Sequence, residues 1–243
     1  MHLVAIDLTG QDPEHVADRC WQAGAAGLWE ADEHSWRVGV ERAALPGFLA
    51  ALADLRPVDV TDSDAVELAG RATSVPFHGR AIDLWVPATV FGDGHHPTTR
   101  SCLDLLALVV RPGDRVLDVG SGAGALSVAA ALLRGDVTAV DIDPEALAAT
   151  RDNAGRNGVA VTASATTLAH VEGGYDVVVA NMTVGALRPL IPALLGHTRP
   201  GASVVLSGML EHQWPDIRSR VGGTVTDRHV DDGWVTARVV LDG

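Results

Sequence analysis

The pattern of apolar and polar positions over the first sixty residues switches between a two-residue and a helical period, which predicts a small α+β unit. Pro13, directly after Asp12, marks the start of the first helix, because proline suits the first turn of a helix. The predicted elements are a strand at 3–8, a helix at 13–24, a hairpin of 28–30 and 36–40, a helix at 45–55 and a strand at 58–60. This order is typical of a ferredoxin-like sandwich, and we expect a separate domain over residues 1–62.

The remainder of the chain predicts a second domain of a different class. Polar residues dominate from Thr61 to Ser74, so residues 63–80 are expected to form a linker. The predicted elements that follow are strands at 81–86, 116–119, 137–140, 177–180 and 204–207, helices at 102–110, 126–133 and 144–157, and a hairpin at 224–241. Because strands and helices alternate, residues 81–243 are expected to form a doubly wound α/β domain with a parallel sheet and a C-terminal antiparallel hairpin.

The strongest chemical signal is the segment Val-Leu-Asp-Val-Gly-Ser-Gly-Ala-Gly at 116–124, a predicted buried strand that runs into a glycine loop and a helix. Glycine is needed where the backbone takes a positive φ or closely approaches a ligand. With Ala125 after the loop and Asp141 at the end of the next strand, the segment satisfies a loose form of the dinucleotide-binding fingerprint. That fingerprint alone does not identify the ligand.

Two details of the loop favour S-adenosylmethionine over a dinucleotide such as NAD. Asp118 stands two residues before Gly120, where its charge would repel a pyrophosphate but attract an ammonium or sulfonium group. The third glycine falls at Gly124, which gives the spacing Gly-x-Gly-x-Gly. Asp141 is placed to accept both ribose hydroxyls of either cofactor, although a strand-end acid without a ligand is the simpler alternative.

Several segments outside this loop carry a family resemblance. They are Phe-Gly-Asp-Gly-His-His-Pro-Thr-Thr at 91–99, Val-Asp-Ile-Asp-Pro at 140–144, Asn-Ala at 153–154, Asn-Gly at 157–158, Asp-Val-Val-Val-Ala-Asn at 176–181 and Leu-Ser-Gly-Met-Leu at 206–210. Together with the glycine loop, they resemble the bacterial ribosomal protein L11 methyltransferases over residues 81–215. The first segment is the specific part of this resemblance. It implies a Rossmann-like class I methyltransferase domain at 81–243 that follows a small substrate-recognition domain.

The resemblance also implies roles for individual residues. Those implied to contact S-adenosylmethionine are Phe91, Thr99, Asp118, Gly120, Gly122, Asp141 and Asn181. Residues 91–96 would form a strap over the methionine end of the cofactor, and Asn181 is the implied catalytic residue. Its side-chain carbonyl would accept a hydrogen bond from the acceptor amine and orient the nitrogen lone pair. The chain departs from the family pattern at Asp93, Met182 and Thr183, and the last two leave the identity of the acceptor open because they adjoin Asn181.

Methyl transfer from a sulfonium is an in-line displacement, so a nucleophilic side chain is not required. An amine acceptor must first lose a proton, and the candidate bases are Asp93, His95 and His96. The two adjacent histidines do not predict a metal site, since neighbouring residues of an extended chain point in opposite directions. Cys20 and Cys102 lie too far apart in the sequence to suggest a zinc site or a disulfide framework.

Composition and charge narrow the class of partner. The 243 residues are 47% apolar and 20% charged, which excludes a disordered chain, and a net charge of −13 disfavours nucleic acid and anionic membranes as partners. All 18 basic residues are arginine. Residues 1–64 hold 12 acids and 4 arginines, a net −8, which indicates either a solvated surface or a docking surface for a basic protein. The sequence shows no targeting segment and no apolar run that spans a bilayer, so a cytoplasmic location is expected.

Four functions remain open at this point. The favoured one is an N-methyltransferase that acts on lysine side chains or α-amines of a basic protein such as a ribosomal protein. The alternatives are a small-molecule N-methyltransferase on the same scaffold, an NAD-dependent oxidoreductase, and a binding module without catalysis. The charge of Asp118 argues against the oxidoreductase, and the intact glycine loop argues against a module without catalysis.

Overall fold

The computed structural model describes residues 2–32, 35–59, 70–87, 90–164 and 167–242. The chain divides into two compact units, Met1–Gly70 and Arg71–Gly243. No helix within the described ranges is both long and apolar enough to span a membrane.

The first unit is a four-stranded antiparallel sheet with two helices. Its elements are β1 (His2–Asp7), α1 (Pro13–Gln22), β2 (Ala25–Asp32), β3 (Ser35–Val40), α2 (Leu45–Ala51) and β4 (Val58–Asp59), with a 3-10 turn at Ala53–Leu55 between α2 and β4. The strands lie in the order β2-β3-β1-β4. Ile6, Val16 and Phe48 are fully buried between the sheet and the helices. The order of elements is the predicted one, but the second helix ends at Ala51 and not at residue 55.

The second unit contains nine strands and five helices in its described residues. The strands are β5 (Arg71–Phe77), β6 (Arg80–Val86), β7 (Arg115–Val119), β8 (Asp136–Val140), β9 (Thr162–Ser164), β10 (Tyr175–Asn181), β11 (Thr198–Leu210), β12 (Thr224–Asp231) and β13 (Trp234–Val240). The helices are α3 (Pro97–Val109), α4 (Ala125–Leu132), α5 (Pro144–Arg156), α6 (Val184–Gly196) and α7 (Trp214–Arg220). β9, α6 and α7 are not predicted from the pattern. Pro189 and Pro192 lie inside α6 and break the sequence signature of a helix.

The predicted linker at 63–80 is wrong at its C-terminal end, because β5 occupies residues 71–77 and pairs antiparallel with β6. Val75 and Phe77 are buried at alternate positions, whereas Arg71 and Ser74 are exposed. A strand with one solvated face has the average composition of a linker, and this explains the error. Residues 63–69 of the predicted linker lie outside the described residues.

The seven-stranded sheet of the second unit has the order β12-β13-β11-β10-β7-β8-β9. The strands from β9 to β11 are parallel, and β13 and β12 are antiparallel to their neighbours, as the sequence predicts. The chain leaves β7 toward β8 and β9 and returns to β10 on the other side of β7. Such a switch point opens a crevice beyond the carboxyl ends of the two central strands, where ligands bind in folds of this kind.

Both faces of this sheet are covered. Val116 of β7 lies in a core cluster with residues of α3 and α4, whereas Leu117 and Val119 lie in a second cluster with residues of α6. This explains why the sheet strands appear in the sequence as continuous apolar runs. It also makes Asp118, in the middle of such a run and 1% exposed, an unusual residue.

Candidate active site

The glycine loop (120–124) and Asp141 are joined directly at the carboxyl edge of the sheet. One carboxylate oxygen of Asp141 accepts a hydrogen bond of 2.9 Å from the N–H of Gly122. The other accepts one of 3.0 Å from the N–H of Asp143. A carboxylate offers about four lone-pair sites, so Asp141 keeps the capacity to accept two hydroxyl groups as well. The next acid, Asp143, has a different role, because it caps α5 by accepting from the N–H of Glu145 at 2.8 Å.

The glycines of the loop are required by its conformation. Gly120, Gly122 and Gly124 have φ values of +76°, +53° and +85°. A Cβ on Gly122 would overlap the carbonyl oxygen of Phe91, and a Cβ on Gly124 would lie 2.9 Å from the Cα of Thr150. The loop therefore depends on glycine both for backbone conformation and for close packing against its neighbours.

Asp118 is a buried acid whose hydrogen bonding is incomplete. Its Oδ2 accepts a hydrogen bond of 2.5 Å from the hydroxyl of Ser127 on α4. Its Oδ1 is buried and has no hydrogen-bond partner among the described residues. Burial raises the pKa of Asp118 to about 6, with a smaller raising effect from the charge of Asp141 and a lowering effect from the Ser127 hydrogen bond. A buried oxygen without a partner is destabilising, so this position fits a ligand that brings a cationic donor.

Asn181 and Thr99 meet at the end of β10. The side-chain nitrogen of Asn181 donates to the hydroxyl of Thr99 on α3 at 3.2 Å. Thr99 is 2% exposed, whereas Asn181 is partly exposed. Because the nitrogen of the amide is used in this way, its carbonyl oxygen is the group that remains to accept a proton donor. The structure thus brings these two candidate residues together, although they lie 82 positions apart in the sequence.

The predicted strap, residues 91–96, is attached to the glycine loop. The N–H of Ala123 donates to the carbonyl of Phe91 at 2.9 Å. The side chain of Phe91 is 51% exposed, which is unusual for a phenylalanine without a ligand or partner. The loop thus fixes where the strap begins and leaves the ring of its first residue accessible.

The strap is also attached to β5. Asp93 forms an ion pair with Arg71, and the ring of His95 forms a hydrogen bond of 2.7 Å with the hydroxyl of Thr73. Gly94 packs so closely on β5 that a Cβ there would overlap the side chain of Val75. Two of the three candidate bases, Asp93 and His95, are therefore engaged in holding the strap.

The third candidate base, His96, lies in an aromatic group that the sequence does not predict. Its ring is edge-on to Phe91, with centroids 5.9 Å apart, and edge-on to Trp234, with centroids 5.1 Å apart. Its Nδ1 accepts from the N–H of Thr98 at 3.3 Å and so caps α3. The sequence places Trp234 in a terminal hairpin, and no pattern within the hairpin indicates that it reaches the strap.

Ile142 is a further residue that sequence reasoning missed. It follows Asp141 and is 95% exposed, more than any other large apolar residue in the described ranges. Its place between two acids, just after a strand, is the sequence signal that singles it out, since ligand sites combine apolar side chains with a few polar groups.

The site therefore combines a buried acid, a ribose-compatible carboxylate, a tight glycine loop and an oriented amide. Within the described residues, no group of three histidine, cysteine or acidic side chains is close enough to hold a metal ion. Both cysteines are buried, and burial raises the pKa of Cys102 to about 12, so that its thiol is inert as a nucleophile. The arrangement can bind a cationic, ribose-containing ligand and orient a second molecule beside Asn181.

Comparison with known proteins identifies one family. Residues 54–241 match the family model described as ribosomal protein L11 methyltransferase. The ribosomal protein L11 methyltransferase of Thiobacillus denitrificans is 38% identical over 250 residues, which cover 92% of this chain and 82% of that protein. The corresponding protein of Dechloromonas aromatica is 50% identical over 133 residues, which cover 54% of this chain and 44% of that protein. The chain thus spans between about half and four fifths of the length of these relatives.

Solved structures of methyltransferases share the fold of this chain. A ribosomal protein L11 methylase from Lactobacillus delbrueckii subsp. bulgaricus has a TM-score of 0.63 and 29% identity, covering 69% of this chain and 90% of that one. A 16S rRNA methyltransferase from Thermus thermophilus, in complex with AdoMet and guanosine, has a TM-score of 0.60 and 17% identity and covers 98% of this chain and 64% of that one. At that identity the likeness concerns the fold alone. The predicted Rossmann-like methyltransferase fold is confirmed.

Proposed function

This chain belongs to the ribosomal protein L11 methyltransferase family, and we propose that it transfers methyl groups from S-adenosylmethionine to amino groups of a basic ribosomal protein. The family places it among the S-adenosylmethionine-dependent methyltransferases and does not favour an NAD-dependent oxidoreductase. The observation that carries the proposal is the buried Oδ1 of Asp118, which lacks a donor at the crevice where the cofactor would bind. S-adenosylmethionine supplies an ammonium donor, an electrophilic methyl group and a neutral leaving thioether.

Three groups of this chain hold the cofactor in our proposal. Asp118 accepts from its ammonium group, Asp141 accepts from its ribose hydroxyls, and the strap at 91–96 covers its methionine end. The exposed side chain of Ile142 lies beside Asp141 and offers an apolar surface for the adenine. Gly120 and Gly122 leave room for the close approach of the loop backbone.

Asn181 positions the acceptor. Its amide nitrogen is held by Thr99, so its carbonyl accepts an N–H of the incoming amine and directs the lone pair at the methyl carbon. The new N–CH3 bond forms as the C–S bond breaks, the bonding electrons stay on sulfur, and the amine proton leaves to solvent. Deprotonation of lysine at pH 7 costs roughly 4 to 5 kcal/mol, whereas an α-amine costs only about 1 kcal/mol. With Asp93 and His95 engaged in the strap and the Nδ1 of His96 capping α3, solvent rather than a dedicated base receives the proton.

The first unit recruits the acceptor protein in our proposal. Residues 1–64 carry a net charge of −8, which complements a basic ribosomal protein and speeds its association at low salt. The same charge disfavours direct binding to ribosomal RNA. This function for the acidic unit follows from charge alone and needs its own test, given in the Discussion.

The proposal is tested with methyl-labelled S-adenosylmethionine and three kinds of acceptor: purified ribosomal protein L11, an unrelated acidic protein, and a panel of small amines. We expect label on the ribosomal protein only, with mass spectrometry of its peptides identifying the amine and the number of methyl groups. The chain itself contains no lysine, so label on the enzyme would be limited to its N-terminal amine and would not obscure the result. Label on small amines alone would overturn the protein substrate, and calorimetric binding of NADH without S-adenosylhomocysteine would overturn the cofactor.

A further inference from the structure

Helix α5 presents a polar stripe to the glycine loop and to β6. The stripe consists of Thr150, Asn153 and Asn157, which are three and four positions apart and therefore lie on one face of the helix. Thr150 and Asn153 are fully buried, and Asn157 is partly buried. Buried asparagine is uncommon unless its amide is fully hydrogen-bonded, so the partners of these side chains show what the stripe holds in place.

Thr150 forms hydrogen bonds with the glycine loop. Its hydroxyl donates to the carbonyl of Gly122 at 3.0 Å and lies 3.0 Å from the hydroxyl of Ser121. The backbone of Thr150 also closely approaches Gly124. The first residue of the stripe thus holds the loop against α5.

Asn153 connects the loop to β6. Its side-chain nitrogen donates to the carbonyl of Ala123 at 2.8 Å and to the carbonyl of Trp85 at 2.9 Å. Its side-chain oxygen accepts from the N–H of Trp85 at 2.7 Å. Both donors of the amide are therefore used, and Trp85 is held on both its polar backbone groups, as a neighbouring strand would hold it.

These bonds connect the glycine loop both to β6 and to the first residue of the strap. Ala123 receives Asn153 on its carbonyl and donates its N–H to the carbonyl of Phe91, the first residue of the strap. Trp85, the other partner of Asn153, precedes Phe91 by six residues in the same chain segment. A single side chain thereby fixes the glycine loop and the strand that leads into the strap at the same time.

Asn157 provides an internal comparison. Its side chain holds both polar backbone groups of Asp83 in β6, accepting at 3.0 Å and donating at 2.8 Å. Its remaining donor bonds the carbonyl of Asn153 within α5 at 2.8 Å. It therefore anchors the same strand in the same manner as Asn153 but makes no hydrogen bond to the loop.

We propose that Asn153 is a positioning residue for the cofactor site, because it couples the strap to the glycine loop through Trp85 and Ala123. This inference rests on the proposed function of that site. It assigns to Asn153 a role in cofactor affinity that differs from the purely structural role of Asn157. Without the side chain of Asn153, the bond between Ala123 and Phe91 still joins the loop to the strap, but β6 is no longer held to the loop. The strap is then less ordered before the cofactor binds, and the free energy of ordering it lowers the affinity.

The test compares Asn153→Ala with Asn157→Ala in the full chain, by calorimetric titration with S-adenosylhomocysteine. We expect the dissociation constant to rise about tenfold in the first variant, the scale of one buried hydrogen bond, and to stay within about twofold in the second. In methylation assays the first variant is expected to raise KM for S-adenosylmethionine. Loss of stability alone would lower the folded fraction and hence the apparent kcat, while KM stays unchanged.

Equal dissociation constants for the two variants would overturn the inference, whereas a wild-type chain that does not bind S-adenosylhomocysteine would overturn the proposed function instead. If Asn153→Ala does not fold, Asn153→Asp keeps its size and its acceptor but loses both donors. Hydrogen exchange of the wild-type chain gives an independent measure that needs no variant. The amides of Ala123 and Trp85 are expected to open with the same free energy, and clearly different values would contradict the coupling.

Discussion

The hydroxyl of Ser127 donates a hydrogen bond of 2.5 Å to Oδ2 of Asp118, and both side chains are buried. This single bond leaves the other oxygen of the carboxylate unpaired and does not offset the burial, since the pKa of Asp118 is still raised to about 6. In the absence of a ligand, the protonated acid is therefore the better-accommodated form. The site keeps a destabilising charge at neutral pH, as expected where the charge serves to bind a ligand.

The first prediction concerns the pH dependence of stability. The pKa of Asp118 in the folded chain, about 6, lies above the usual value of roughly 4. The stabilisation that this difference gives the folded state is therefore fully present at low pH and is lost as the pH rises toward and through 6. Asp118→Asn cannot ionise and is expected to be more stable than the wild type at pH 8 by up to about 2 to 3 kcal/mol without cofactor. Urea unfolding of both chains at pH 5 and pH 8 measures this difference. A difference that does not grow with pH would contradict the assignment.

The second prediction separates Asp141 from Asp143, two acids two positions apart. Asp141→Ala is expected to weaken binding of S-adenosylmethionine at least about tenfold, because hydrogen bonds to a charged group contribute about 1.5 to 3 kcal/mol each. Asp143→Ala removes only the cap of α5 and is expected to lower stability by about 1 kcal/mol without changing affinity. Calorimetry and thermal unfolding of both variants provide the comparison. If Asp143→Ala weakened binding as much as Asp141→Ala, the ribose role of Asp141 would be wrong.

The third prediction concerns Gly122. A methyl group there would overlap the carbonyl of Phe91 and displace the strap, so we expect Gly122→Ala to raise the dissociation constant of S-adenosylhomocysteine by about tenfold or more. Gly113→Ala is the matched control, because Gly113 also has a positive φ, +90°, but nothing lies within 4 Å of an added Cβ. Both variants carry backbone strain, and only the first blocks the strap. Equal affinities in the two variants would rule out the strap as a determinant of binding.

The fourth prediction tests the orientation of Asn181. Thr99→Val removes the acceptor for the amide nitrogen, so the amide rotates more freely and kcat is expected to fall about tenfold. Thr99→Ser keeps the hydroxyl and is expected to restore most of the rate. Steady-state kinetics with the ribosomal protein as acceptor measure both variants. If valine and serine reduced kcat alike, packing of the side chain and not its hydrogen bond would be the cause.

The fifth prediction concerns the acidic first unit. A chain that begins at Arg71 lacks this unit and is expected to keep its affinity for S-adenosylhomocysteine while losing methylation of ribosomal protein L11. Full-length chain at high salt is the matched control, because salt screens the attraction between an acidic surface and a basic acceptor. We expect its rate on the protein to fall as salt rises. Full activity of the shortened chain would show that recruitment lies elsewhere.

Much of the second unit is predictable from its sequence because its signals are local. The glycine loop at 120–124 stands between a buried apolar strand and a helix, and turn chemistry at that point depends on adjacent residues. The same holds for the alternation of strands and helices. By contrast, β5 is not predicted, because its polar face gives the segment the composition of a linker.

The residues of the candidate site likewise fall into those that the sequence identifies and those that only the structure shows. Asp118 and Asp141 are recognisable as acids at the ends of predicted strands, where a parallel sheet collects ligand-binding groups, and Asn181 is implied by the family resemblance. Trp234 and Asn153 are not recognisable as parts of the site. Trp234 reaches His96 from the terminal hairpin, and Asn153 reaches Ala123 from α5, 30 positions away.

The sequence by itself determined the class of the second unit and, through its motifs, the family, because periodicity, glycine spacing and short motifs are properties of neighbours in the chain. Only the tertiary structure decided that one oxygen of Asp118 lacks a partner among the described residues, that Thr99 holds Asn181, and that Asn153 joins β6 to the glycine loop. The physical reason is that hydrogen bonding and burial depend on which elements pack together. Distant residues share those contacts only after the chain has folded.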